Sequence, residues 1–182
     1  MPKSAAVPSP IREPLDGEAH LDFALIELLF FAYRDFTSDP DQMLDTYTFG
    51  RAHHRVLHFV NRVPGLTVAE LLEVLKITKQ SLARVLKQLI DTGHVVQVQG
   101  PRDRRQRELY PTHKGRTLAL TLAQPQSERI AAALDGLAPG ERKAVEHFLR
   151  NMVDEPWRSR VGLSPDALRG VAVAEDGQHG SE

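Results

Sequence analysis

Two sets of side chains in this sequence are suited by type and spacing to one kind of chemistry, the reading of hydrogen-bond acceptors. Lys79, Gln80, Arg84 and Lys87 lie on one helical face, with Ser81 close to the helix start, and Arg102-Asp103-Arg104-Arg105-Gln106-Arg107 forms a cationic run beside Gly100-Pro101. On a helix narrow enough to enter the major groove, Gln pairs with adenine, Arg or Lys with guanine, and Ser or Thr with several partners. Lys79, Gln80, Ser81 and Arg84 are therefore the candidates for base contact, and Lys87, further along, for phosphate. Arg102, Arg104 and Arg105 at a hairpin tip suit the narrow, electronegative minor groove of A/T-rich DNA, with Asp103 fixing their direction through charge-assisted hydrogen bonds. The plainer readings are a solvated helix face and a solvated charged loop.

The elements that must hold these residues are legible around them. Thr67-Val68-Ala69-Glu70 is a capping box, in which hydroxyl and carboxylate each satisfy an otherwise unpaired backbone N–H, and Leu71, Leu72 and Leu75 follow as a buried stripe. After the link Lys76-Ile77, Thr78 caps a second helix whose Leu82, Val85, Leu86, Leu89 and Ile90 share the opposite face, and Gly93 ends it. His94 to Gln99 and Arg107 to Tyr110 read as strands, with Gly100-Pro101 marking the turn between them. Helix, helix and basic hairpin make a winged helix-turn-helix, in which the start of the second helix reaches base edges while the first crosses the backbone. Thr67 and Thr78, at the two helix starts, join the DNA-facing set.

Asp103-Arg104-Arg105, then a strand, then Leu109-Tyr110-Pro111-Thr112-His113-Lys114-Gly115-Arg116 resemble the wing and the start of the fifth helix in the MarR family of bacterial regulators. The resemblance covers roughly Leu21 to Val153 and is strongest from Leu66 to Gly115; where the family often begins its wing with Asp-Pro, this chain has Gly100-Pro101. It implies a mainly α fold with a small β-hairpin wing and N- and C-terminal dimerisation helices. It also implies a homodimer that binds a near-palindromic operator and often loses affinity when a small molecule, commonly an aromatic acid, enters a cleft between the dimer domain and the DNA lobe; a repressor is the expected role. On this reading residues 20–153 form the MarR-like domain, with the DNA lobe at about 48–112 and dimerisation helices at about 20–36 and 112–153.

Composition sets further limits. A chain of 182 residues with 41% hydrophobic content suffices for one domain with a substantial core. It has no signal peptide and no apolar run long enough to span a bilayer, so the cytoplasm is the expected location. The absence of cysteine removes disulfides, thiolate metal sites and thiol redox sensing. Motifs for a nucleophile elbow, a phosphate-binding loop, a dinucleotide turn and a zinc-protease helix are all missing; neither an enzyme nor a cofactor is expected. The net charge of -1 conceals an asymmetry: Arg51 to Arg116 holds thirteen Lys or Arg against five Asp or Glu, a local balance of +8, and the remainder carries -9. Such a distribution favours approach to phosphate in one orientation, with an affinity that falls steeply with salt.

The flanking segments argue for a second chain. Leu21 to Phe36 places Leu21, Phe23, Leu25, Ile26, Leu28, Leu29, Phe30, Phe31, Tyr33 and Phe36 around most of a helix, which needs cover on several sides. Thr112 towards Leu134 and Pro139 to Val153 read as further helices, with a kink or break expected at Pro125. Interleaving these helices between two copies gives a homodimer; burial within one chain is the alternative. Residues 1–19 read as a disordered arm and 154–182 as a partly disordered tail, in which Ser164 to Arg169 has the pattern of a helical turn or two and Trp157 of an anchor.

Tyr47 to Val63 reads as a helix crowded with His53, His54, Arg55 and His58. His54 and His58 share a face but lack the further ligands that a metal ion requires, so no metal is expected. Tyr33, Arg34, Arg51, His54 and His58 are candidates for a pocket holding an anionic aromatic effector. The competing function of another class is a winged helix used as a protein-docking module without DNA binding.

Overall fold

The computed structural model describes residues 14, 20–100, 106–138 and 140–161. The order of elements is α1 (Phe23–Asp45), α2 (Arg51–Arg62), β1 (Leu66–Thr67), α3 (Val68–Leu75), α4 (Lys79–Asp91), β2 (Val95–Gln99), β3 (Arg107–Pro111), α5 (His113–Leu134) and α6 (Glu141–Asn151). The fold is thus mainly helical with one small antiparallel sheet, a winged helix-turn-helix. The chain divides into two compact units after Asp35. Arg102 to Arg105, Pro139, the N-terminal arm but for Pro14, and the tail from Gly162, including Ser164 to Arg169, lie outside the described residues.

The first unit contains the opening half of α1, where Leu25, Ile26, Leu28, Leu29, Phe30, Phe31 and Tyr33 are all exposed. Apolar residues on every side of a helix stay uncovered when one chain has too few partners for them.

The second unit carries the core. Leu57 and Val60 of α2, Leu71 and Leu75 of α3, Leu82 and Leu89 of α4, and Leu109 of β3 are buried in one cluster that also takes in Leu118 and Leu122 of α5. The sheet has the order β1-β3-β2, with Leu66 opposite Leu109 and Val96 opposite Tyr110. The two-residue strand β1, too short to show periodicity, gives β3 a partner on its second edge.

α1 runs to Asp45, nine residues past the sequence expectation at Phe36, and takes Pro40 into its interior. A proline there leaves the carbonyl four residues earlier without its N–H donor. That carbonyl belongs to Phe36, and Gln126 Nε2 of α5 donates to it at 3.2 Å. Arg129 of α5 pairs with Asp39 at 2.9 Å one turn away. Pro125 likewise fails to break α5, which continues to Leu134.

Gly115 marks the tightest approach in the unit. A Cβ on this residue would overlap the backbone carbonyl oxygen of His94, so α5 can lie against the start of β2 only with glycine here. Gly115→Ala forces one backbone segment away from another, and overpacking of this kind costs roughly 1–3 kcal/mol. Urea denaturation of the variant should show a loss of that size, whereas Gly50, whose Cβ would meet nothing within 4 Å, should accept alanine with a much smaller effect.

Candidate nucleic-acid interface

α4 is amphipathic in the sense the sequence demanded. Leu82, Val85, Leu86 and Leu89 are buried, while Lys79, Gln80, Ser81, Arg84 and Lys87 are exposed. Thr78 caps the helix: its hydroxyl accepts from the Ser81 N–H at 3.2 Å and donates to Ser81 Oγ at 2.9 Å. The Ser81 hydroxyl, already an acceptor from Thr78, keeps its own proton for an outside acceptor. Lys87 pairs with Asp91 at 2.5 Å, but both side chains are largely exposed, and such pairs exchange readily for another anion.

The preceding helix is fixed at both ends. The Thr67 hydroxyl accepts from the Glu70 N–H at 3.2 Å and the Thr67 N–H donates to Glu70 Oε2 at 2.8 Å, which completes the capping box; the hydroxyl's own proton also goes to Glu70 Oε2, at 2.8 Å, which occupies this candidate contact within the cap. At the other end Arg55 Nη2 of α2 donates to the Leu75 carbonyl at 2.9 Å, and Lys76 turns the chain in the left-handed region with φ 48°. A cation on the last carbonyls of a helix suits its dipole.

Behind α4, Thr112, Lys114 and Gly115 act as a clamp. Thr112 Oγ1 donates to the Gly93 carbonyl at 2.7 Å and accepts from the Gly115 N–H at 3.0 Å. Lys114 Nζ donates to the Thr92 carbonyl at 2.9 Å, so the C-terminal end of α4 is gripped by the first turn of α5. β2 and β3 carry the wing from this base, and Gly100 N–H donates to the Gln106 carbonyl at 3.0 Å where the hairpin narrows. Arg107 is exposed at the start of β3, next to the undescribed Arg102, Asp103, Arg104 and Arg105.

A sequence model described as the MarR family matches residues 47–106, which span α2 to the wing. The chain is 47% identical over 142 residues to the HTH-type transcriptional regulator PetP of Rhodobacter capsulatus, covering 78% of this chain and 86% of that protein. The chain belongs to the MarR family. As a MarR-family protein it is a DNA-binding transcription regulator, and its relatives are regulators rather than enzymes. Its fold is similar to Streptococcus pneumoniae FabT in complex with DNA, with a TM-score of 0.63, 19% identity, and coverage of 72% of this chain and 94% of that one. It is also similar to a MarR-family regulator from Listeria monocytogenes complexed with a 26mer DNA, with a TM-score of 0.60, 20% identity, and coverage of 69% and 84%.

Of the candidate effector residues of this MarR-family chain, Arg51, His54 and His58 lie along α2. Arg51 pairs with Asp41 at 2.5 Å. Tyr33 and Arg34 belong to the first unit, where Arg34 bonds Asp35 at 2.8 Å and lies 4.7 Å from the Phe31 ring centre. Among the described residues His54 and His58 gain no third metal-ligating neighbour. His53 separates from them altogether: it is 8% exposed, and its Nε2 lies 2.7 Å from Gln88 Oε1 of α4. Sequence reasoning missed this bond, because helical periodicity says which face a histidine is on but not what stands across from it.

His94, 2% exposed, sits beneath Phe49 and Tyr47 with Nδ1 2.9 Å from Thr92 Oγ1. Burial pushes its pKa below the ordinary histidine value, and the Lys114 ammonium adds to the shift. Desolvation also lowers His54, partly offset by Asp41, and lowers His58 together with His54 and Arg62. A folded state that resists protonation keeps its full stability above the unfolded histidine pKa of about 6.5 and loses it as pH falls below that value. Unfolding free energy should therefore decline between pH 7.5 and 5.5, and His94→Gln should flatten the decline; an unchanged pH slope in that variant would contradict the assignment.

Proposed function

We propose that two copies of the chain bind a near-palindromic operator as a homodimeric repressor, each laying the exposed face of α4 into a major groove. The observation that carries this reading is the division of α4 into a buried apolar stripe and an exposed row of Lys79, Gln80, Ser81 and Arg84. Those four residues read base edges, with Ser81 offering a donor, and Lys87 exchanges Asp91 for a phosphate. Thr67 and Thr78, as caps, set the first turns of α3 and α4 against the DNA backbone. Arg102, Arg104 and Arg105 at the wing tip, directed by Asp103, follow the adjoining minor groove. Similarity to two structures solved with DNA supports this reading.

Dimerisation is supported by apolar side chains that one chain leaves exposed. α6 has no buried residue, and its Val145, Phe148 and Leu149 face outward; in the other unit the Leu25 to Tyr33 stretch of α1 is exposed as well. A second copy of the chain supplies the cover that burial of such area rewards. A small anionic aromatic ligand then releases DNA by preferring one arrangement of the two DNA lobes. Arg51 is the cation on α2 suited to its carboxylate, in exchange for Asp41, with His54 and His58 along the same helix. Titration calorimetry with a panel of aromatic acids should find a binder that Arg51→Ala loses, and no heat with any member would reject the pocket.

Fragments selected from genomic DNA by the purified protein should share a near-palindrome bound by two chains. Arg84→Ala should weaken that site by about 1–3 kcal/mol and relax its sequence preference, whereas Lys87→Ala should weaken all duplexes alike and reduce the salt slope by about one. Equal loss on every sequence for Arg84→Ala, or one chain per site, would contradict the proposal.

A further inference from the structure

We propose that His53 is a positioning residue for DNA reading: through its bond to Gln88 it fixes the rotation of α4 about its own axis, and hence the aim of Lys79 to Arg84. This inference rests on the reading of α4 as the base-contacting helix.

The buried stripe holds α4 down, but apolar contact is non-directional and allows a helix to roll on its leucines. A hydrogen bond from a fixed ring does not. The His53 ring is fixed twice: it stacks on Phe49 with centroids 4.6 Å apart and planes 7° from parallel, and its Nδ1 accepts the Gly50 N–H at 3.0 Å. With Nδ1 accepting, Nε2 carries the proton and donates to Gln88 Oε1 at 2.7 Å. Gln88 lies in the last turn and a half of α4, and its backbone carbonyl accepts Thr92 Oγ1 at 2.6 Å. Thr92 Oγ1 meets His94 Nδ1 at 2.9 Å, and the His94 ring stands edge-on to Phe49 at 5.3 Å. The contacts therefore close a loop, His53 to Gln88 to Thr92 to His94 to Phe49 and back to His53, that ties one turn of α4 to α2 and to the start of β2.

The lever is short. Side-chain tips stand roughly 5–6 Å from a helix axis, so a roll of 10–20° displaces them by about 1–2 Å. Base contacts tolerate only about 0.5 Å. A loosened turn at Gln88 thus costs discrimination between sequences before it costs stability.

The test compares Gln88→Met, which keeps length and removes the acceptor, with Gln88→Glu, which keeps the acceptor, and with His53→Phe, which keeps the stack and removes the donor. Two readouts are taken on the full chain: the ratio of affinity for the selected operator to affinity for unrelated duplex at one salt concentration, and the backbone amide shifts of residues 79–84 without DNA. Gln88→Met and His53→Phe should each lower the ratio roughly tenfold and move those shifts, and the double variant should be no worse than either alone. Gln88→Glu should keep the ratio within about twofold, although its added charge weakens binding to every duplex. Gln88 is exposed, so its variants remain informative if His53→Phe fails to fold. Unmoved shifts in Gln88→Met, or a loss in Gln88→Glu as large as in Gln88→Met, would overturn the positioning role whatever α4 binds. Moved shifts with an unchanged ratio would overturn both this role and the base reading on which it rests. Wild-type protein with no preference for the selected operator would overturn the base reading alone, and the shifts would still decide the roll.

Discussion

A helix proposed to read DNA must be held from one side only, and most of the contacts around α4 are consistent with that constraint. Its grip on the protein is the burial of Leu82, Val85, Leu86 and Leu89, each worth about 1.5–3 kcal/mol when fully removed from water. That energy fixes depth and leaves aim to directional contacts. These sit where they do not obstruct the outward face: Lys114 on the Thr92 carbonyl at the C-terminal end, and His53 on Gln88. The polar row from Lys79 to Arg84 is left exposed.

The same economy of position explains the neighbouring segments. Thr112 serves as cap of α5 and as a brace on the chain leaving α4, which it can do because Gly115 lets α5 approach the His94 carbonyl. The wing and α4 therefore share one base. Farther away, α1 and α5 accept interior prolines; at Pro40 the freed Phe36 carbonyl is bonded by Gln126. The electrostatic division complements the mechanical one, since the segment from Arg51 to Arg116 carries the positive balance and the remainder the negative.

How much of this was legible in the sequence depended on the range of the physics involved. The capping box at Thr67, the Thr78 cap, the stripe of α4 and the Gly93 stop involve neighbours within a few residues, and all four are present. Local pattern also placed α2, α5 and α6 and the strands to within a few residues of their bounds. It failed where distant partners decide. Nothing near Phe36 says that α1 runs on to Asp45, and β1 is too short to announce itself; at Pro125, where a kink or a break is expected, α5 continues without a break. In the sequence His53 reads as one member of a histidine cluster, because Gln88, the partner that sets it apart, lies across the fold. The exposed row of α4 was identifiable, but the hydrogen bond proposed to aim it was not.

Whether the outward face of α4 occupies the major groove is decided by methylating guanine N7 within the selected operator. The N7 atom lies on the major-groove edge and takes no part in base pairing. Methylation at guanines of each half-site should abolish binding while the duplex stays intact, and minor-groove modification there should act only at the flanking positions reached by the wings. Full binding to operator methylated at every half-site guanine would contradict a helix seated in that groove.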